Sequence, residues 1–405
     1  MAQLSPCPKK SPSRWPERRR ALTALWLCAG IAVVGAQERG PTAVTPVELR
    51  QAIDHLADLD YDARTKAGRT VRRAPATQAV PALIQAVHEH VDGYIRFRAL
   101  VLLTGFNDPR TPDTMDEALS SPNDRLREVA YGYFERHPEA GLVPRLLTAL
   151  DKETGDFVRP ALVRALAALA KDPRATAALI RDAGRGLDYF RSTVIEALGD
   201  YRVVAAVPTL TGIARIDGPL QDDAVTALGK MAGTGALTTL AELQQKAPKD
   251  VQPAIAAAIC LTGSNCSSHI GYLDKMLTFA EDFPGYQDLL RGAANGLGVI
   301  ATRGNADVLN RLFDVGIPSQ DPVRAPVTLA IGLVALRNTP LMLKALEARA
   351  DQAEAIGLLA ESFDMLEEDL EEEAFFVAVR RAYWAAADGS PTRTLCEQLI
   401  TKLDF

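Results

Sequence analysis

Apolar positions recur along most of the chain at spacings of three and four. After Arg191 they fall at Val194, Ile195, Ala197, Leu198 and Gly199; after Arg159, at Leu162, Val163, Leu166 and Leu169. After Arg324 they fall at Val327, Leu329, Ile331 and Leu333. Such spacing puts them on one buried face of an α-helix. A second apolar helix precedes each stripe, as in Val80-Pro81-Ala82-Leu83-Ile84, Leu142-Val143-Pro144-Arg145-Leu146-Leu147 and Ala206-Val207-Pro208-Thr209-Leu210. The prolines at 81, 144 and 208 are expected near helix starts, where a missing N–H costs least. The predicted unit is therefore helix–turn–helix.

The unit repeats about every 32 residues. Its marker is an Asp followed by an Arg: Asp124 and Arg127, Asp156 and Arg159, Asp188 and Arg191, Asp288 and Arg291, Asp321 and Arg324. Two earlier copies, Asp60 with Arg64 and Asp92 with Arg96, hold one extra residue. Gln221 and Gln252 stand in the Arg place between 191 and 291, and a longer step there implies an insertion near 262–285. The Asp is placed to cap the second helix. The Arg falls in the first turn, the wrong end for the helix dipole. A partner must favour it there, and an Asp–Arg ladder from one layer to the next is the simplest. A row of arginines offered to an anionic ligand is the other reading.

This pattern resembles the HEAT repeat, particularly the short bacterial type also found in phycobilisome-lyase-like proteins. The resemblance rests on Asp-x-Val/Leu/Phe-Arg, the Ala/Leu stripe, and small residues such as Leu198-Gly199-Asp200 and Leu228-Gly229-Lys230. It implies an all-α, right-handed α-solenoid of about nine helix-turn-helix repeats, in which each layer buries its face against its neighbours. Nine layers 8–10 Å apart would make an elongated body of roughly 80 Å. The expected division is a signal peptide at 1–36, a short linker at 37–45, a repeat array at 46–366, and an acidic segment with capping helices at 367–405. The aromatic content of 6% fits close helix stacking.

Charge then divides the chain. Residues 1–36 hold six basic groups and one acid; removing that +5 from the formal −6 leaves −11. The basic stretch ends in Arg18-Arg19-Arg20, sixteen uncharged residues follow, and Val34-Gly35-Ala36 closes them. That layout predicts a secretory signal and export to the periplasm or exterior. Membrane association is expected only if the signal stays uncut. Cleavage would remove Cys7 and Cys28 and leave Cys260, Cys266 and Cys396. Cys260 and Cys266 flank the expected loop LTGSN and could pair in an oxidising compartment; Cys260 could equally be a small core residue.

Residues 361–373 hold eight acids and no base. Glu367, Glu368, Asp369, Glu371, Glu372 and Glu373 read either as the charged start of a terminal cap or as a docking segment for a basic partner. Phe375, Phe376, Val379, Tyr383 and Trp384 follow on one helix face. Arg64, Lys66, Arg69, Arg72 and Arg73 read as the solvated side of the second helix.

Candidate chemistry is sparse. Deoxyhypusine hydroxylases, which share the HEAT repeat, use several His-Glu pairs; His88-Glu89 is the single pair here, beside His90. No phosphate loop, nucleophile elbow or zinc-type Cys/His set is present. The expectation is an exported, non-enzymatic scaffold binding a protein or peptide, without cofactor, metal or nucleic acid. The alternative is a lyase-like or cofactor-binding enzyme on the same repeats.

Overall fold

The computed structural model describes residues 42–405, apart from Pro284 and Glu367. The expected signal segment, Cys7, Cys28, linker residues 37–41 and Glu367 of the acidic segment lie outside the described residues. Among the described residues are 22 α-helices and no strand. They form ten successive pairs and a final hairpin, one pair more than the sequence predicted. The pairs are α1 Pro46–Asp54 with α2 Tyr61–Arg73, α3 Ala76–Glu89 with α4 Gly93–Thr104, α5 Thr111–Ala118 with α6 Asp124–Arg136, and α7 Val143–Lys152 with α8 Arg159–Ala168. Next come α9 Pro173–Ala183 with α10 Asp188–Asp200, α11 Val207–Ala214 with α12 Gln221–Met231, and α13 Thr234–Lys246 with α14 Gln252–Leu261. Then follow α15 Cys266–Asp282 with α16 Gln287–Thr302, α17 Ala306–Gly316 with α18 Arg324–Arg337, and α19 Thr339–Ala348 with α20 Gln352–Leu366. The hairpin is α21 Asp369–Ala385 and α22 Pro391–Leu403.

Most of the insertion near 262–285 is helical as α15, Gly271 included. Only its ends turn, at Gly263 and Gly285 with positive φ. Pro144 and Pro208 sit at helix starts. Pro81 does not; it lies inside α3.

Second helices stack on one another along the array, and each buries the stripe read from the sequence: Val194, Ile195, Ala197 and Leu198 in α10, Val327, Ile331 and Val334 in α18. Leu333, expected in that stripe, is exposed and faces the interior of the array. The core falls into two clusters that meet at α14.

The array does not end freely. Its last helices return to its first: Leu370 of α21 joins the core of the N-terminal half. Arg72 of α2 pairs with Glu373 of α21 at 2.8 Å, both nearly inaccessible. Arg98 pairs with Asp369, Arg69 with Asp404, and Arg136 with Glu371. The basic cluster of α2, read as a solvated face, is therefore the seat of the acidic segment. An open, elongated stack is thereby corrected to one whose two ends are in contact. Opposite charges on the first and last layers replace the polar face that a free terminal layer would need.

Phe375, Val379 and Tyr383 are buried in the hairpin, whereas Trp384 remains 45% exposed beneath the Arg393 guanidinium. It is off the face shared by the other three.

Candidate binding groove

The motif arginines do not form the ladder that their period suggested. Each mostly turns back to its own repeat and donates to carbonyls at the end of the preceding helix. Arg64 donates to Asp58 O at 2.7 Å, Arg96 to Val87 O at 2.7 Å, Arg127 to Ser121 O at 2.9 Å and Arg191 to Ala183 O at 3.1 Å. Arg324 donates to Gly316 O and Ile317 O at 3.0 and 3.2 Å. The Arg is at the wrong end of its own helix but the right end of the one before, where carbonyls are left without partners. Glutamine can do the same: Gln221 donates to Ala214 O at 2.9 Å, Gln252 to Ala247 O at 3.1 Å, and Gln352 to Leu346 O at 2.9 Å.

The motif aspartates act locally as well. Asp60 and Asp92 cap α2 and α4 by accepting from Ala63 N and Tyr94 N, and Asp321 accepts from Ala325 N. Asn123 takes the cap of α6, with Asp124 in its first turn. Asp156 lies in the turn before α8. Asp188 pairs with Arg191 and Asp288 with Arg291 inside single repeats. Where a motif arginine does reach the next repeat, it meets other groups: Glu153 for Arg127, Glu361 for Arg324 and the Phe190 ring for Arg159.

A real ladder runs elsewhere, through the ends of the second helices. Glu135 of α6 accepts from Arg164 of α8 at 2.8 Å; Arg164 reaches Asp200 of α10 at 3.0 Å; Lys230 of α12 meets Asp200 at 2.7 Å. Tyr201 donates to Glu135 at 2.7 Å. Burial alone would push the Asp200 carboxyl up, but Lys230 and Arg164 hold it at about 2. Its sequence signal was the alternation of Gly199-Asp200 with Gly229-Lys230, which marks both the close approach and the sign of charge.

Closure leaves a groove between the first five second helices and the α18, α20 and α21 side. Clefts of about 600 and 830 Å³ run together through Arg125 and Asp369, and a third of about 360 Å³ joins them through Arg164, Glu196, Leu333 and Arg337. Arg337 approaches Asp200 across it at 3.8 Å. One wall bears an aromatic ring near the start of successive second helices: Tyr61, Tyr94, Phe157 and Tyr189, from 37% to 62% exposed. Arg125 occupies the place that would continue the row on α6. These rings follow the motif aspartates in the sequence by one or two residues, a signal as periodic as the arginines themselves.

Carboxyls crowd the same space. Burial pushes Glu128 up to about 7, with Arg125 opposing and Glu368 and Glu371 adding to the rise. Burial also raises Glu368, helped by Glu371, and raises Glu372. Outside these clefts, on α12, Asp222 rises to about 6 through burial and its neighbour Asp223, itself raised by burial.

Among the described residues, no group of three or more His, Cys, Asp or Glu is arranged to hold a metal ion. His88 lies near Glu117 at 3.6 Å, and His90 caps α3 beside Asp54. The sulfurs of Cys260 and Cys266 are bonded, with Cα atoms 4.1 Å apart. Cys396 is buried, which pushes its thiol up to about 11. No single described helix is long and apolar enough to cross a membrane.

No family model matches the chain, nor does any curated protein sequence. Solved structures do match. Human deoxyhypusine hydroxylase in complex with glycerol is 19% identical over 53% of this chain and 84% of its own, with a TM-score of 0.27. The CpcE–CpcF complex of phycocyanin lyase from a Nostoc species is 20% identical over 80% and 97%, with a TM-score of 0.24. The karyopherin Kap121p bound to the extreme C-terminus of the phosphatase Cdc14p is 13% identical, with a TM-score of 0.37; the match covers 88% of this chain but 48% of the karyopherin.

Proposed function

We propose that the chain is an exported scaffold that holds a protein or peptide partner in the groove between its N-terminal second helices and its C-terminal hairpin. The observation that carries this reading is the row of half-exposed rings, on four of the first five layers, facing a groove rather than the core. Aromatic side chains offer large contact area at low entropic cost, and they dominate binding energy at interfaces. The insertion packs as α15 against α14 and α16 and lines none of the three clefts.

Cross-linking in the envelope fraction, with the full chain and a Phe157→Ala/Tyr189→Ala variant of unchanged circular dichroism, tests the partner site. A partner captured equally by both would sink it. Export rests on the basic, apolar and small-residue layout of residues 1–36, and mass spectrometry of the native N-terminus tests it; a mature chain should start near residue 37. In that compartment Cys260 and Cys266 should stay paired, so thiol titration of unfolded, unreduced mature protein should find one free thiol. Three would reject the bridge.

A further inference from the structure

The row of rings is already partly occupied by the chain's own cations. Arg64 lies over Tyr61 with its guanidinium carbon 5.5 Å from the ring centroid. Arg125 lies 5.6 Å from the Tyr94 centroid and 5.3 Å from that of Phe97. Phe157 and Tyr189, the next two rings, carry no such cation among the described residues and are 46% and 62% exposed. They line the same cleft as Glu128 and Glu196, neither of which has an ion-pair partner among the described residues. Arg164, also there, is taken by Glu135 and Asp200. A ring face beside an unpaired carboxylate is suited to a lysine or arginine side chain: the ring quadrupole attracts the cation and the carboxylate neutralises it.

We infer that the groove takes a basic polypeptide segment whose Lys or Arg side chains lie on Phe157 and Tyr189 and face Glu128 and Glu196. This names the partner's chemistry and rests on the reading of the groove as a partner site. Geometry narrows it further. Successive layers of packed helices are about 8–10 Å apart. A polyproline II segment advances about 9.3 Å per three-residue turn and returns every third side chain to one face. A β-strand would alternate faces over the same distance. The fitting occupant is a polyproline II segment with a basic residue at every third position.

Fluorescence polarisation of the full chain with labelled (Arg-Pro-Pro)4, (Ser-Pro-Pro)4 and (Glu-Pro-Pro)4 tests this. The arginine peptide should bind and the other two should not. Phe157→Leu/Tyr189→Leu, which keeps apolar area but removes the rings, should weaken it about fivefold to thirtyfold. Glu128→Gln/Glu196→Gln should weaken it comparably. The control Asp307→Asn/Glu354→Gln, which removes the same charge from exposed sites outside the groove, should leave it unchanged. Equal weakening by the control would mean attraction to net negative charge and would overturn the inference. Binding of the serine or glutamate peptide in its place, lost in the Leu variant, would overturn the basic partner but keep the groove. If no peptide is held and cross-linking is indifferent to Phe157 and Tyr189, both readings fall.

Discussion

The inner helices meet differently in the middle of the array and in its N-terminal half. From α10 to α16 the contacts are made by Ala and Gly. A Cβ on Gly229 would strike the Ala258 backbone and lie 2.7 Å from Ala258 Cβ, so α12 and α14 touch almost backbone to backbone. In the N-terminal half, α4 and α6 bury Phe97, Tyr131 and Phe134 instead. Small side chains on the inner layer shorten the spacing there relative to the outer layer, and the stack must bend toward the short side. The bend brings α21 and α22 onto α2 and α4. Burial of the individual cap explains where the residue changes. Gln221 is 4% exposed, whereas Arg127 and Arg324 keep 20% and 27% of their side-chain area. Burying a neutral amide costs far less than burying an unpaired guanidinium, so the nearly inaccessible cap of α12 is a Gln while the more exposed caps of α6 and α18 are Arg.

The most drastic way to break the closed arrangement is to remove one partner of the Arg72–Glu373 pair. Its side chains are 9% and 3% exposed, so a lone charge would be left without water. Glu373→Ala should cost about 3–5 kcal/mol in urea unfolding. Hydrogen exchange should locate the damage in α2, α21 and α22, leaving α12 to α16 protected. Uniform loss of protection would mean that closure and seam unfold as one unit.

Next in size is the seam itself. Gly229→Ala should destabilise by about 1–3 kcal/mol through overpacking, because the obstructing atoms belong to backbone. Gly141→Ala, which meets nothing within 4 Å, serves as control. Gly132 is an intermediate case: its added Cβ would strike the Leu370 side-chain tip, which can rotate away. A smaller effect at Gly132 than at Gly229 would separate closure from curvature.

The repeat, its helices and most of its buried stripe were legible in the sequence because periodicity is written locally. The partners were not. Arg191 and Gln221 share a register, but nothing in that register says whether the side chain reaches forward to the next layer or back to its own. The answer depends on carbonyls left free at the end of the preceding helix. Likewise, eight acids at 361–373 announced a charged surface, yet only curvature decides that Arg72, Arg98 and Arg136 will meet them. Leu333, two residues past Ile331, points to the opposite side of α18 from the buried stripe, and in a closed ring of helices that side is the groove.

The cap comparison gives a gentler test. Gln221→Ala should cost about 1–2 kcal/mol by leaving Ala214 O unsatisfied in a buried place. Arg191→Gln should cost less, because the amide can still reach a carbonyl at the end of α9. If Arg191→Gln proves the worse of the two in thermal melts, the charge matters beyond the hydrogen bond, and the ladder reading regains ground.

The effect that depends on pH is the most telling about the groove. Glu128 has a folded-state value of about 7 against an ordinary 4.5. The groups around it are Asp124 and Arg125 on its own helix, Arg164 of α8, Glu196 of α10, Arg337 of α18, and Glu368 and Glu371 opposite. A carboxyl raised on folding favours the folded state while protonated; that contribution is complete below pH 4.5 and is lost as pH rises through 7. Glu128→Gln should therefore melt like the parent at pH 4.5 and above it at pH 8. The same ionisation that weakens the free protein would attract a cationic segment, so the arginine peptide should raise the melting temperature more at pH 8 than at pH 5. In Glu128→Gln that difference should shrink. A melting gain from Glu128→Gln without any loss of peptide binding would make Glu128 a buried acid of the closed fold and leave the partner's charge to be read from Glu196 alone.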